Sequence, residues 1–290
     1  MKNLKLKVIS RYLRPYKREF FYGSLALLVV NVLSVIIPLE VKNIIDQIQS
    51  GFSSDFVISK SILLIFLATC MGLIRLYSRQ IVFGIGRKVE VNLRQKLFDH
   101  LLIQDPEWIQ NKGSGDIISR ATSDVENIRR LLGFTILSLC NIVLAYSFTI
   151  PAMFRINKTL TISALMIFPL ILGIVSLFGG QMVNQRKAQQ ESLSKLSDLI
   201  QEDLSGISAI KIYAQENAEK KEFNLYNKTY RNSAIKLART ASTLFPLLQG
   251  VSSISLLILL GLGTYQLETG FISIGGLIAL ILYVERLVFP

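Results

Sequence analysis

The chain alternates long apolar runs with polar, charge-rich segments. Four runs contain at least 20 consecutive residues without Asp, Glu, Lys or Arg, and about 20 apolar residues cross the ~30 Å hydrocarbon core of a bilayer. Two shorter runs, after Lys60 and after Glu268, continue as apolar sequence beyond an interrupting charge. The pattern predicts an all-α membrane protein with six transmembrane helices, at about 20-40, 60-83, 131-154, 159-183, 243-267 and 271-290.

Two polar segments, about 84-130 and 184-242, are too regular to be loops. In the first, Val89, Leu93 and Leu97 repeat every four residues among charged and amide side chains, which predicts an amphipathic helix. The second segment has the same apolar periodicity between Leu193 and Ile210. The spans are therefore expected to continue as long helical hairpins, reaching roughly 25–38 Å beyond the membrane at 1.5 Å per residue.

Lysine and arginine are distributed unevenly along the chain. The N-terminal arm and the two hairpins hold 25 of the 32, whereas the opposite loops hold four. Positive charge marks the cytoplasmic side, so the hairpins and both termini are predicted to be cytoplasmic in a multi-pass protein of the cell (inner or plasma) membrane. Each hairpin is nearly balanced in charge, so the net charge of +12 does not indicate a nucleic acid partner.

The composition excludes several other classes of protein. With 51% apolar and 18% charged residues, the chain is neither an ordinary soluble domain nor disordered. Two cysteines in apolar runs and a single histidine exclude a disulfide scaffold and a zinc site. No metal site and no catalytic residue is predicted.

The first eighteen residues, 1-18, form a separate element before the membrane domain 19-290. Leu6, Ile9 and Leu13 recur at helical spacing opposite lysines and arginines, which predicts a helix lying along the membrane surface. The alternative is a solvated basic tail.

Four charges fall inside the weaker spans: Arg75 and Arg79 in the second, Glu285 and Arg286 in the sixth. A charge at that depth is costly and normally faces a cavity or a partner. Helical rise places Arg75 and Glu285 at similar depth. Three interpretations remain open: Glu285 pairs with an arginine across helices, the charges line a substrate cavity, or they extend to the lipid headgroups.

Each hairpin has a tip at which the helix is interrupted. The first tip, residues 103–116, contains Asp105-Pro106, and the residue before a proline disfavours helix; the second tip, residues 206–216, begins at Gly206. Short polar and aromatic segments held away from the bilayer suit a docking surface, although a solvated turn is an equal alternative.

Both tips carry a spaced multi-residue motif. The first tip has Pro106-x-Trp108 and then Ser114-Gly115-Asp116-Ile117-Ile118-Ser119-Arg120. The second has Glu202-x-Leu204-x-Gly206 and Ile210-Lys211-x-Tyr213-x-x-Glu216. These motifs resemble the T-G-D-L-x-S-R and E-x-L-x-G-x-x-x-[IV]-K-x-[FY]-x-x-E runs of ATP-binding-cassette (ABC) exporters of the bacterial multidrug or lipid half-transporter type. The resemblance covers the whole chain and implies the ABC exporter transmembrane domain fold.

That resemblance implies coupling helices at the tips that dock on ATPase domains, in a dimer of identical or different half-transporters. ATP binding would switch the cavity by alternating access, and amphipathic small molecules or lipids would be exported. The coupling residues that the resemblance indicates are Trp108, Asn111, Gly115, Asp116, Ile212, Tyr213, Gln215 and Glu216.

The chain departs from the family pattern in two respects. Ile109 stands where many relatives have a second aromatic residue, and the 290 residues contain no Gly-Lys dipeptide, hence no G-x-x-x-x-G-K-[ST] phosphate loop. ATP and Mg would therefore bind to a nucleotide-binding domain outside this sequence. This chain is expected to be a domain cut from a longer transporter or one subunit of a split transporter. Alternative functions are an ATP-independent carrier or channel and a non-transporting membrane scaffold.

Overall fold

The computed structural model describes residues 14–51 and 54–288, and all regular elements among them are helical. A 3₁₀ turn, Arg14–Tyr16, precedes the first helix. The helices of the described residues are α1 (Lys17–Ser50), α2 (Ser54–Leu102), α3 (Pro106–Lys112), α4 (Ser114–Ile156), α5 (Lys158–Leu165), α6 (Phe168–Ser205), α7 (Ile207–Ile212), α8 (Glu216–Glu268) and α9 (Ile274–Val288).

Five helical stretches of the described residues are long and apolar enough to cross a membrane: α1, α2, α4, α5 with α6, and α8. The prediction of an all-helical membrane protein is thus confirmed. Helix α9 covers only 15 described residues, fewer than the roughly 20 that a span requires, so the sixth span remains a prediction.

Helices α1, α2, α4 and α8 run through their predicted spans without a break, whereas the fourth predicted span is interrupted at Met166 and Ile167, between α5 and α6. Helix α2 has 49 residues and is therefore roughly 75 Å long, more than twice the thickness of a hydrocarbon core. Helix α8 has 53 residues and includes Pro246, which does not interrupt it. Continuous helices of this length confirm that the apolar runs extend into the amphipathic segments that follow or precede them.

Helix α4 contains two π-helical turns, Arg120–Asp124 and Leu131–Thr135. A π turn inserts one extra residue into the helical repeat and rotates the side chains that follow it. The second turn begins where the predicted third span begins, so the polar and apolar portions of α4 differ in rotational register.

The predicted surface helix at 1-18 lies mostly outside the described residues. Of that segment, Arg14–Tyr16 form the 3₁₀ turn, and Lys17 already belongs to α1, which continues directly into the apolar run.

The chain divides into two compact units. One contains the described residues up to Thr161 together with those from Leu262 onward; here α1 packs on α2, α4 and α9. Its core includes the face of α9 that carries Leu280, Tyr283 and Leu287, whose spacing of three and four residues defines one helical stripe.

The other unit is Ile162–Gly261 and contains α6, α7 and most of α8. Leu196 and Leu199 of α6 are buried, and the Ser192 and Ser233 hydroxyls lie 3.3 Å apart. The Ser255 hydroxyl donates a hydrogen bond to the Ala164 carbonyl at 3.2 Å. The second tip belongs to this unit.

Candidate functional sites

The first tip is a short helix that lies between two interruptions of the helical structure. Helix α2 ends at Leu102, and the Asp105 carbonyl accepts the Ile109 amide at 3.2 Å, which starts α3. Gly113 then adopts a positive φ of 75°, a conformation that glycine reaches at little cost, and α4 begins at the next residue. The interruptions predicted around Pro106 and Gly113 are therefore present.

The predicted docking residues of the first tip lie on this exposed segment. Trp108 on α3 keeps 39% of its surface exposed, and Asn111 belongs to the same helix. Gly115 and Asp116 are exposed in the first turn of α4, where the Asp116 carboxylate pairs with Arg120 at 2.9 Å. An accessible aromatic side chain on an exposed polar segment suits contact with another protein.

The second tip is a tight helical turn with apolar side chains on its outside. Helix α7 begins after Gly206, and Ile212 and Tyr213 are 77% and 72% exposed at its end. Ala214 has a φ of 49°, an uncommon left-handed conformation for a residue with a Cβ. The Gln215 side chain donates to the Tyr213 carbonyl at 3.0 Å, which stabilises this turn.

An ion pair closes the second tip. The Lys211 ammonium lies 3.0 Å from the Glu216 carboxylate, across the turn that separates α7 from α8. The backbone amide of Glu216 and then Lys211 hold the pKa of the Glu216 carboxyl below its usual range. All four residues predicted here, Ile212, Tyr213, Gln215 and Glu216, are thus brought together on one small exposed surface.

Behind the first tip lies a charged cluster that the sequence analysis did not identify. Glu90 of α2 is buried; its carboxylate lies 2.8 Å from Arg94 on the same helix and 3.2 Å from Arg129 on α4. Arg94 also donates to the Ala121 carbonyl at 3.2 Å. These contacts tie α2 to α4 at Ala121 and Arg129. The signal in the sequence was a single acid, Glu90, next to the apolar Val89, with Arg87 three residues before it and Arg94 four residues after it.

Glu126 extends this cluster toward solvent. Its carboxylate accepts hydrogen bonds from Arg130 and Arg129 at 2.9 and 3.0 Å, and these contacts, Arg130 first, hold the pKa of the Glu126 carboxyl below its usual range. The acid–arginine contacts of Glu90 and Glu126 give the base of the first hairpin a fixed arrangement.

Three of the four charges predicted within the membrane line one cavity. This arginine cavity, of about 460 Å³, lies between α1, α2, α4 and α9, and Arg75, Arg79 and Arg286 all contribute to its wall. Asn31, Ser78 and Asn141 are its other polar groups of note, and leucine and phenylalanine side chains form much of the remainder.

Asn31 organises one side of the arginine cavity. It is buried in α1, and its side-chain amide donates to the Leu27 carbonyl at 2.9 Å and to Asn141 at 3.2 Å. Its carbonyl oxygen accepts a hydrogen bond from Arg286 at 2.8 Å. The guanidinium of Arg286 is therefore oriented before any ligand arrives.

Glu285 has a different environment from the three arginines. It is exposed, does not line the arginine cavity, and takes part in none of the ion pairs found among the described residues. Glu285 is thus separate from the arginine cavity, and the roles expected of all four charges from the sequence remain predictions.

Residues 20–290 match the family model of the ABC transporter transmembrane region. The chain is 25% identical over 284 residues to YknU of Bacillus subtilis strain 168, named as an uncharacterized ABC transporter ATP-binding protein; the alignment covers 98% of this chain and 48% of that protein. It is 26% identical to a Staphylococcus aureus protein provisionally named a multidrug export ATP-binding/permease protein, with 98% and 51% coverage. The chain therefore spans about half the length of these relatives.

Proposed function

The chain belongs to the ABC transporter transmembrane family, and from that premise we propose that it is the membrane-spanning half of an ATP-driven exporter. The exported molecules are amphipathic small molecules or lipids, taken from the cytoplasm or the inner leaflet. Export proceeds by alternating access, driven by ATPase domains that dock on the two cytoplasmic tips.

The observation that carries this proposal is the exposure of the tips at the ends of continuous helices. Ile212 and Tyr213 expose large apolar surfaces although they lie in a polar segment far along the chain from the spans. Apolar surface of this kind, surrounded by polar residues, marks contact sites for proteins. Because each tip is attached to helices that continue into the predicted spans, a displacement of the tip moves the spans with it.

ATP and Mg²⁺ would be bound by the docked partner. The described residues contain no group of three or more His, Cys, Asp or Glu side chains suited to a metal ion, and the 290 residues lack a phosphate loop. Residues of this chain therefore do not fit a nucleotide site, and no step of hydrolysis is assigned to them. Their part is to bind substrate and to transmit movement.

Further parts of the proposal concern assembly and topology. Two membrane halves, identical or different, form the working unit, and each half includes a sixth span at 271–290. The hairpins and both termini face the cytoplasm of a cell whose inner or plasma membrane holds the protein, in accordance with the lysine and arginine distribution.

The proposal is tested by nucleotide-dependent flux with the protein at its full natural length, together with its ATPase. Sealed vesicles containing the protein are loaded with a fluorescent amphiphile, and its movement is followed with ATP, with a non-hydrolysable analogue, and without nucleotide. We expect movement only with ATP. Flux that is equal in all three conditions would indicate an ATP-independent carrier or channel, and no flux with intact partner binding would indicate a scaffold.

A further inference from the structure

The arginine cavity combines positive charge with apolar walls. Arg75, Arg79 and Arg286 supply three guanidinium groups, while no Asp or Glu is among the residues that line it. A charge within a predicted span is costly unless a partner of opposite charge or water stabilises it. Among the described residues that line the arginine cavity, no acidic side chain is present to balance the three arginines.

The hydrogen bonding of Arg286 is incomplete in the same way. One terminal nitrogen, Nη2, donates to Asn31, whereas the other, Nη1, is buried and has no hydrogen-bond partner among the described residues. Buried polar groups are nearly always paired, so an unpaired one indicates a missing ligand or water. A guanidinium group that is oriented by one hydrogen bond and retains an unused N–H donor is suited to bind an anion.

The size and walls of the arginine cavity restrict the kind of anion. A volume of about 460 Å³ is within the range of small-molecule sites, roughly 300–1,000 Å³, and is much larger than a single phosphate ion needs. Leu27, Phe83 and Phe134 provide apolar surface next to the arginines. The ligand that satisfies both features has an anionic headgroup joined to an apolar portion.

We infer that the arginine cavity binds the phosphate or carboxylate headgroup of an anionic amphiphile. Arginine recognises both groups through paired N–H···O hydrogen bonds, which are stronger than neutral ones. This inference rests on the proposed function only in naming the substrate class; binding itself requires neither ATP nor an ATPase. A cationic amphiphile is excluded by three like charges with no acid in the lining.

The test measures lipid binding to the full-length protein in detergent by native mass spectrometry. The probes are phosphatidylglycerol and phosphatidylcholine at equal concentration, which share acyl chains and differ in net charge. We expect the wild type to retain phosphatidylglycerol preferentially. The double variant Arg75→Gln/Arg79→Gln, at two exposed positions, is expected to reduce that retention about tenfold, because charge-assisted hydrogen bonds are lost.

Two further variants control the measurement. Arg155→Gln removes an exposed arginine that does not line the arginine cavity, and it is expected to leave the lipid preference unchanged. Arg286→Lys keeps the charge but removes the forked geometry, so an intermediate loss is expected; it also covers the case in which the double variant fails to fold.

The outcomes separate the sources of the anion and the two proposals. Saturable binding of inorganic phosphate alone, lost in the double variant, without preference between the lipids, would assign the same anion chemistry to a soluble ligand. Equal retention of both lipids with no phosphate binding, or arginine-dependent binding of tetraphenylphosphonium, would overturn the inference. Lipid preference without ATP-driven flux would leave the inference intact and contradict the proposed function. ATP-driven flux without any preference for anions would support the proposed function and overturn the inference.

Discussion

Asp46, near the end of α1, caps the first turn of α9: its Oδ1 accepts the backbone amide of Gly275 at 3.0 Å. The other carboxylate oxygen accepts the Ser273 hydroxyl at 2.9 Å, and Lys42 lies 2.9 Å from the same oxygen. The first amides of a helix have no partner within the helix, so a side chain from a distant segment supplies one here. The carboxylate therefore joins two helices that are separated by more than 200 residues in sequence.

Removing this cap should destabilise the unit that contains α1 and α9. Asp46→Ala is expected to cost about 1 kcal/mol in the free energy of unfolding, the usual cost of losing a helix cap, and to lower the midpoint of thermal unfolding in detergent. Asp46→Asn keeps an oxygen for Gly275 but loses the charge that attracts Lys42, so its effect should be smaller. Asp55→Ala, at an exposed carboxylate in the first turn of α2, is the control. Equal midpoints for Asp46→Ala and Asp55→Ala would contradict the cap.

Glu90 should be the most important carboxylate in the first hairpin. Glu90→Ala leaves Arg94 and Arg129 without their shared partner, and we expect a loss of about 2 kcal/mol in unfolding free energy, reduced from the cost of a fully buried pair because Arg94 is half exposed. Glu126→Ala removes a carboxylate that is 41% exposed, so it should lower the free energy of unfolding less than Glu90→Ala does. Thermal unfolding of the two variants, compared in the same detergent, measures the difference. A larger effect of Glu126→Ala would show that Glu90 does not hold α2 to α4.

Local sequence patterns predicted the helices and their interruptions well. Charge-free length and apolar periodicity depend on neighbouring residues alone, which is why the continuous helices α1, α2 and α8 and the breaks near Pro106, Gly113 and Gly206 were predicted, whereas the break between α5 and α6 was not. The π turns of α4 have no such local signature, and they appear only in the structure.

Contacts between distant segments were not predicted. The pairing of Glu90 with Arg129, the cap of α9 by Asp46 and the bond from Arg286 to Asn31 all depend on helix packing that sequence spacing does not encode. For the same reason the sequence groups Glu285 with the arginines, since helical rise gives depth along a span but not the direction in which a side chain points.

Tyr213→Ala tests the second tip as a docking surface. The side chain is 72% exposed in this chain, so its removal should hardly change stability but should weaken contact with the ATPase partner. We expect loss of substrate flux, with the thermal midpoint retained, in the full-length transporter. Leu225→Ala is the matched control, because Leu225 is 65% exposed on α8 of the same hairpin but beyond the second tip. Unchanged flux and substrate-stimulated ATPase activity in Tyr213→Ala would remove this residue from the docking surface.

Gly275 should tolerate no side chain because α9 approaches α1 closely at this point. A Cβ at Gly275 would overlap the Lys42 carbonyl and would lie 2.6 Å from Oδ1 of Asp46. Gly275→Ala is therefore expected to cost about 2 kcal/mol, as overpacked core positions do. Gly84→Ala is the control: a Cβ there meets nothing within 4 Å, and alanine favours the interior of a helix.

The same close approach predicts how two changes combine. In the double variant Gly275→Ala/Asp46→Ala, the carboxylate that the new Cβ would meet is absent, so part of the overlap is relieved and the cost should be less than the sum of the single variants. The Lys42 carbonyl still opposes the Cβ, so the double variant should remain less stable than Asp46→Ala alone. Strict additivity in thermal unfolding would mean that Gly275 and Asp46 act independently, which their 3.0 Å hydrogen bond argues against.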